Sequence, residues 1–133
     1  MSYFVVPAKE DDFVFLACED EMPLTEARAA WEEAQGLLVL MQRQRLLVDI
    51  TALRGGLEMV EIFDVARLVW RGFPRQGRIA MVARWDQAKS ASLLESLLRN
   101  VGVYLRIFGD EKTAEGWVRG SSPGEQMKKE LAI

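Results

Sequence analysis

Two rhythms of apolar and polar positions run along the chain. Tyr3 to Pro7 is β-branched and aromatic, and Phe13-Val14-Phe15-Leu16-Ala17-Cys18 is an unbroken apolar run. Such a run suits a strand covered on both faces. The polar stretch Ala8 to Asp12 between them has the length of a hairpin loop. The rhythm then lengthens. Leu24, Ala27, Trp31, Ala34, Leu38 and Met41 recur every three or four residues, which predicts a helix with one apolar stripe. Pro23 fits its start, where a missing N–H leaves nothing unpaired. Gly36 interrupts this pattern, and a competing reading ends the helix there and makes residues 37–41 a strand. The unbroken stripe favours the helix.

Arg45 to Thr51 predicts the third strand, and Leu53-Arg54-Gly55-Gly56 a turn. A helix follows from Leu57 to Arg71. On its wheel Met59, Ile62, Phe63, Ala66, Val69 and Trp70 share the expected inner face, while Leu57, Val60 and Leu68 form a second apolar patch among the charges of the other. Arg78 to Ala83 predicts a fourth strand. Asp86 is placed to cap a helix over residues 87–101 with the stripe Ala91, Leu94, Leu98 and Val101. Gly102 stands where a left-handed residue ends a helix. Val103 to Phe108 predicts the fifth strand, and Asp110 caps a last helix presenting Ala114, Trp117 and Val118. From Gly120 the composition turns polar. The expected division is therefore a domain over 1–119 and a polar tail over 120–133.

The order is ββαβαβαβα. Strands alternating with helices after a hairpin imply parallel neighbours joined by crossovers, hence an α/β fold with a five-stranded, mostly parallel mixed sheet and about four helices.

Composition narrows the chemistry. The 133 residues fit one domain, and 50% apolar with 28% charged is a globular balance. There is no histidine, so the commonest general base near neutral pH and the commonest metal ligand are missing. The single cysteine, Cys18, makes neither an internal disulfide nor a zinc cluster, and reads as a small buried hydrophobe. No metal or other cofactor is expected. The N-terminus lacks the basic start and apolar length of a signal peptide, and no run approaches the roughly 20 apolar residues of a membrane span. The expected location is the cytoplasm. Net charge is −3, with −7 in residues 1–36 and +5 in residues 37–109. Arg71, Arg75, Arg78 and Arg84 lie near Trp70, Phe73 and Trp85, a combination that can grip nucleic acid. Overall acidity and the flanking of a buried strand favour offsetting poles instead, and no nucleic-acid partner is expected.

Three segments carry a resemblance: Leu46-Leu47-Val48-Asp49-Ile50, Arg78-Ile79-Ala80-Met81-Val82, and Leu105 to Val118 with its Phe108, Asp110-Glu111, Ala114 and Trp117. They resemble the small bacterial SpoIIAA-like proteins, a STAS-like family, over most of residues 3–118. The resemblance implies a SpoIIAA-like fold and a regulatory binding module, in the manner of antagonists of anti-sigma factors. Such modules carry a phosphorylatable Ser or Thr at the start of the helix after the third strand. Here the usual Asp-Ser step is absent, and Thr51, at the strand end, is the only hydroxyl nearby. The related CRAL-TRIO lipid carriers open an apolar pocket with added helices that this chain lacks.

Asp49 and Thr51 end a parallel strand, where open α/β sheets place ligands. Gly55-Gly56 before a helix can offer N–H groups to an anion, with Arg54 as counter-charge. These four, Asp49, Thr51, Arg54 and Gly55, are the candidate ligand or partner residues; bracing of the turn by Asp49 is the competing role. Ser90, Ser92 and Ser96 have no activating base. Glu58 and Glu61 read as a solvated face. Leu57, Val60 and Leu68 are the candidate interface. The expected function is a non-enzymatic regulatory or adaptor domain acting on an unknown protein partner, with a homodimer as one form. The alternative is an apolar-ligand or lipid binder with a pocket near the ends of strands 3 and 4. A hydrolase or transferase would need convergent polar residues in a cleft.

Overall fold

Strand order in the sheet follows strand order in the chain. β1 (Tyr3–Pro7) pairs antiparallel with β2 (Phe13–Asp20); β3 (Arg45–Leu53), β4 (Arg78–Val82) and β5 (Tyr104–Phe108) then add in parallel, giving β1-β2-β3-β4-β5. The helices are α1 (Leu24–Leu40), α2 (Met59–Gly72), α3 (Ala88–Arg99) and α4 (Glu111–Arg119). The computed structural model describes residues 2–9, 12–54, 59–74 and 76–120, with backbone alone at 59 and 60. The expected order ββαβαβαβα and the mixed, mostly parallel sheet are present. The tail beyond residue 120 lies outside the described residues.

Sequential parallel strands place all their crossovers on one face, because crossovers share one hand. α1, α2 and α3 accordingly pack on one side, over Val14, Leu16, Leu46, Val48, Ile79 and Met81. α4 follows the last strand and makes no crossover. It turns to the opposite face, where Ala114 and Val118 pack on Phe13, Leu47, Ala80 and Val82. Burial on both faces explains the unbroken apolar run of β2, whose Phe13 and Val14 are both inside.

α1 runs through Gly36 to Leu40, as the stripe requires, with Pro23 just before its first turn. Its buried positions are Ala30, Trp31, Ala34, Gln35 and Leu38, while Met41 lies beyond the helix and is exposed. Gly102 has φ +83 and turns the chain from α3 into β5, the left-handed role expected of it. Asp110 caps α4 by accepting from the Thr113 backbone N–H at 2.8 Å, and Trp117 packs its ring 5.7 Å from that of Phe108.

Three expectations need correction. First, α2 is rotated from its expected phase. Ile62, Val65 and Val69 are buried, while Phe63 and Trp70 point outward. The triplet 62, 65, 69 keeps helical spacing, so the charges at 64, 67 and 71 and the two aromatics share the solvent side. Second, Asp86 does not cap α3. It pairs with Arg84, and Gln87 stands at the N-cap position of α3 without a side-chain capping bond, its Oε1 accepting the Arg84 backbone N–H at 2.9 Å instead. Residues Trp85–Gln87 form a single 3-10 turn before α3. Third, α3 ends at Arg99, so Val101 falls outside it and is exposed. β5 likewise begins at Tyr104, one residue late, a difference within ordinary fraying.

Candidate functional site

The carboxyl ends of β2, β3 and β4 meet at one corner of the sheet. Asp49 and Thr51 are alternate residues of β3 and so share a face. Thr51 donates to Asp49 Oδ1 twice, from its backbone N–H at 2.9 Å and its hydroxyl at 2.6 Å. Asp20 closes β2 in the left-handed region, φ 59, which Asp tolerates better than most residues. Its carbonyl accepts the Arg54 backbone N–H at 2.9 Å.

Arg84, just beyond β4, ties this corner to its neighbour. Its guanidinium donates to the Thr51 carbonyl oxygen and, at 2.9 Å, to that of Leu53. The opposite edge of the same group forks onto Asp86, at 3.0 and 3.3 Å. Gln87 lies beneath, almost wholly buried, with its Nε2 donating to the Ile50 carbonyl at 2.8 Å. Thus Asp49, Thr51 and Arg84 form one connected group, while the Arg54 backbone is tied to the Asp20 carbonyl of β2. Gly55 lies outside the described residues.

The field at this corner is negative on the α4 side. Burial, then the charges of Asp49 and Glu115, push the Glu111 carboxyl above its ordinary value. Arg84 holds the Asp86 carboxyl below its usual range through a charge-assisted bond. Cys18, one strand over, is buried. That burial, with Asp49 a lesser contributor, pushes its thiol up to about 12. No described group of three or more metal-ligating residues is arranged to hold an ion.

Behind the corner, between the sheet and the α1–α3 layer, Cys18, Trp31, Ile50, Leu53, Val65 and Met81 enclose an apolar cavity of about 60 Å³. Sites for drug-sized molecules run to about 300 Å³ and more. The space among the described residues does not support the apolar-ligand reading.

Two of the four arginines expected beside aromatics, Arg78 and Arg84, are occupied in structure, Arg71 is exposed on α2, and Arg75 lies outside the described residues. Arg78 donates to the Gly120 carbonyl at 3.0 Å and lies over the Trp117 ring, 5.5 Å from its centre. Arg45 donates to the carbonyls of Val118 and Arg119 at 3.2 and 2.8 Å. Both serve the open carbonyls at the end of α4, the favoured place for a cation.

The outer surface of α2 offers a different opportunity. Phe63 is 47% exposed and Trp70 58% exposed, two turns apart on one face. Leu68, one of the three expected interface residues, is half-buried against the main core and lines a groove between α1 and α2. Leu57 and the side chain of Val60 lie outside the described residues. Sequence reading missed two parts of the site: Arg84 as the corner's tie, and Phe63 with Trp70 as outward aromatics. The first left no signal in the sequence, because the partners of the Arg84 guanidinium on β3 are backbone carbonyls.

Comparison with known proteins bears on the fold. No family model matches the chain, and no curated protein matches it. Among solved structures, it is similar to an anti-sigma factor antagonist from Mycobacterium paratuberculosis, at 18% identity and a TM-score of 0.62, over 90% of this chain and 96% of that one. It is also similar to an uncharacterised protein with a SpoIIAA-like fold from Shewanella loihica, at 16% identity and a TM-score of 0.53, over 87% and 91%. The chain has the SpoIIAA-like fold that its segments resemble. Among the described residues no helix is long and apolar enough to cross a membrane.

Proposed function

We propose that this chain is a non-enzymatic regulatory or adaptor domain of the STAS type, which acts by protein–protein contact through α2 and the adjoining end of β3. The observation that carries the reading is the outward pair Phe63 and Trp70. Large aromatics at the surface contribute little to the fold they stand on and much to an interface, where they bury wide area at low entropic cost. They stand on the helix that follows the third strand, the element that carries the control site in STAS modules. An anti-sigma factor antagonist among the structural neighbours agrees with this role. The corner of Asp49, Thr51 and Arg84 holds the strand ends from which α2 departs, and so positions the helix.

The test is co-purification from the source organism with the wild-type chain, the double variant Phe63→Ser with Trp70→Ser, and Lys112→Glu on α4 as a control. A protein retained by the wild type and the control and lost with the double variant is the expected result. Identical sets from all three would overturn the reading. Light scattering on the purified chain identifies a second copy as the partner if the mass doubles and the double variant returns it to the monomer.

A further inference from the structure

We propose that the groove between α1 and α2 seats an acidic, extended segment of the partner protein, gripped by Arg67 and Arg71 and read by the buried amide of Gln35. This deepens the docking reading above and rests on it.

The groove is open and about 340 Å³ in volume, enough for a few residues of extended chain rather than a globular surface. Gln35 forms part of its wall yet is only 6% exposed. Its Nε2 donates a long bond, 3.4 Å, to the Leu68 carbonyl. Its Oε1 accepts none among the described residues. Buried polar atoms in native proteins are nearly always partnered, and one left open beside a groove calls for a partner from outside. A carboxamide sets a donor and an acceptor side by side, the complement of a peptide unit. Gly72 keeps this amide accessible: a Cβ there would stand 3.0 Å from Gln35 Nε2.

Charge selects the segment. Arg67 and Arg71 are one turn apart on α2, and no acid pairs with either among the described residues. Arg28, across the groove, reaches the half-buried Asp64 only at 3.7 Å, a long contact of small worth. Three guanidinium groups therefore face the groove with one loose pairing among them. Glu32 and Asp64 line it too, and they discriminate between polyanions. A nucleic-acid strand carries a charge at every phosphate and meets both acids. A peptide with spaced carboxylates aligns them with the arginines and leaves its backbone for Gln35.

The probe is a fluorescent ten-residue peptide of alternating Glu and Ala, followed by anisotropy at low salt, with the Lys-Ala counterpart and a ten-nucleotide DNA single strand as comparisons. Saturable binding of the acidic peptide alone is expected. Arg67→Glu with Arg71→Glu should weaken it at least tenfold, and Gly72→Ala several-fold although no charge changes. If the double reversal does not fold by circular dichroism, Arg71→Gln replaces it. Absence of binding, insensitivity to the arginine variants, insensitivity to Gly72→Ala, or equal binding of the DNA strand would each overturn the proposal. Failure here with Phe63- and Trp70-dependent capture intact removes the groove alone. Peptide binding without such capture removes the docking reading instead.

Discussion

Thr51 spends both of its donors on a single atom, Asp49 Oδ1, at 2.9 Å from the backbone and 2.6 Å from the hydroxyl. A hydroxyl so held braces the strand end, and adding a negative group there sets charge against charge. Thr51→Val is expected to cost about 1 kcal/mol, the usual net worth of one such bond. Thr51→Glu should cost more, because its carboxylate joins Asp49 in a corner where Glu111 already has a raised pKa. Urea unfolding of the two variants checks the order; a Glu variant as stable as the Val variant would mean that the corner tolerates phosphorylation.

Gln87 links elements distant in sequence. Its side chain accepts from the Arg84 backbone N–H and donates to the Ile50 carbonyl, 37 residues away. Gln87→Leu keeps the bulk and leaves the buried Ile50 carbonyl and the half-buried Arg84 N–H without that partner. Stranded groups of this kind cost ~1–3 kcal/mol each. We expect a loss of ~2–4 kcal/mol in unfolding free energy by denaturant titration, and hence a variant near the limit of stability for a domain of this size.

How far the sequence foretold this structure depended on how much each residue was constrained by its neighbours. Strand order and helix positions were legible because two-sided burial leaves an apolar run in β2 and one-sided burial leaves a stripe in α1. The phase of α2 was not, because Phe63 and Trp70 resemble core residues in any periodicity count, and only packing against α1 and α3 decides which of two apolar sets turns inward. Asp49 and Thr51 were found by their place at a strand end. Arg84 read as part of a basic patch, since its partners are the carbonyls of Thr51 and Leu53, and a carbonyl leaves no mark in side-chain identity.

Cys18 supplies a test of burial on the sheet. With its thiol pushed up to about 12 from the ordinary value of 9.0, the thiolate at pH 8 is roughly a thousandfold scarcer than in an open chain. Labelling by a disulfide reagent should be slow in the folded protein and fast in denaturant. The thiol form is favoured by folding, so the stability it contributes is whole below about 9 and declines as pH rises from there toward 12. Cys18→Ala should flatten that alkaline decline. Prompt labelling of the native chain would mean that β2 opens to solvent.

The acid side is governed by Asp110 and Asp86. Bonds from the Thr113 backbone and hydroxyl hold the Asp110 carboxyl below its ordinary value, and Arg84 does the same for Asp86. A depressed carboxyl contributes stability that is present above its unfolded value, near 3.8, and lost as pH falls below it. Glu111 works with the opposite sign. Its raised carboxyl favours the fold below the unfolded value of 4.5, and that contribution fades as pH rises past it. Lowering the pH from 5 to 3 should therefore reduce Tm in the wild type, with a smaller reduction in Asp110→Asn, whose cap no longer titrates. The neutral amide oxygen still accepts from the Thr113 N–H, so the variant keeps α4 and loses chiefly the pH response. Asp110→Ala removes the acceptor as well and should lower Tm at every pH, with faster hydrogen exchange at Thr113 and Ala114. An unchanged acid slope in Asp110→Asn would assign the effect to Asp86, and Asp86→Asn then becomes the variant that flattens it.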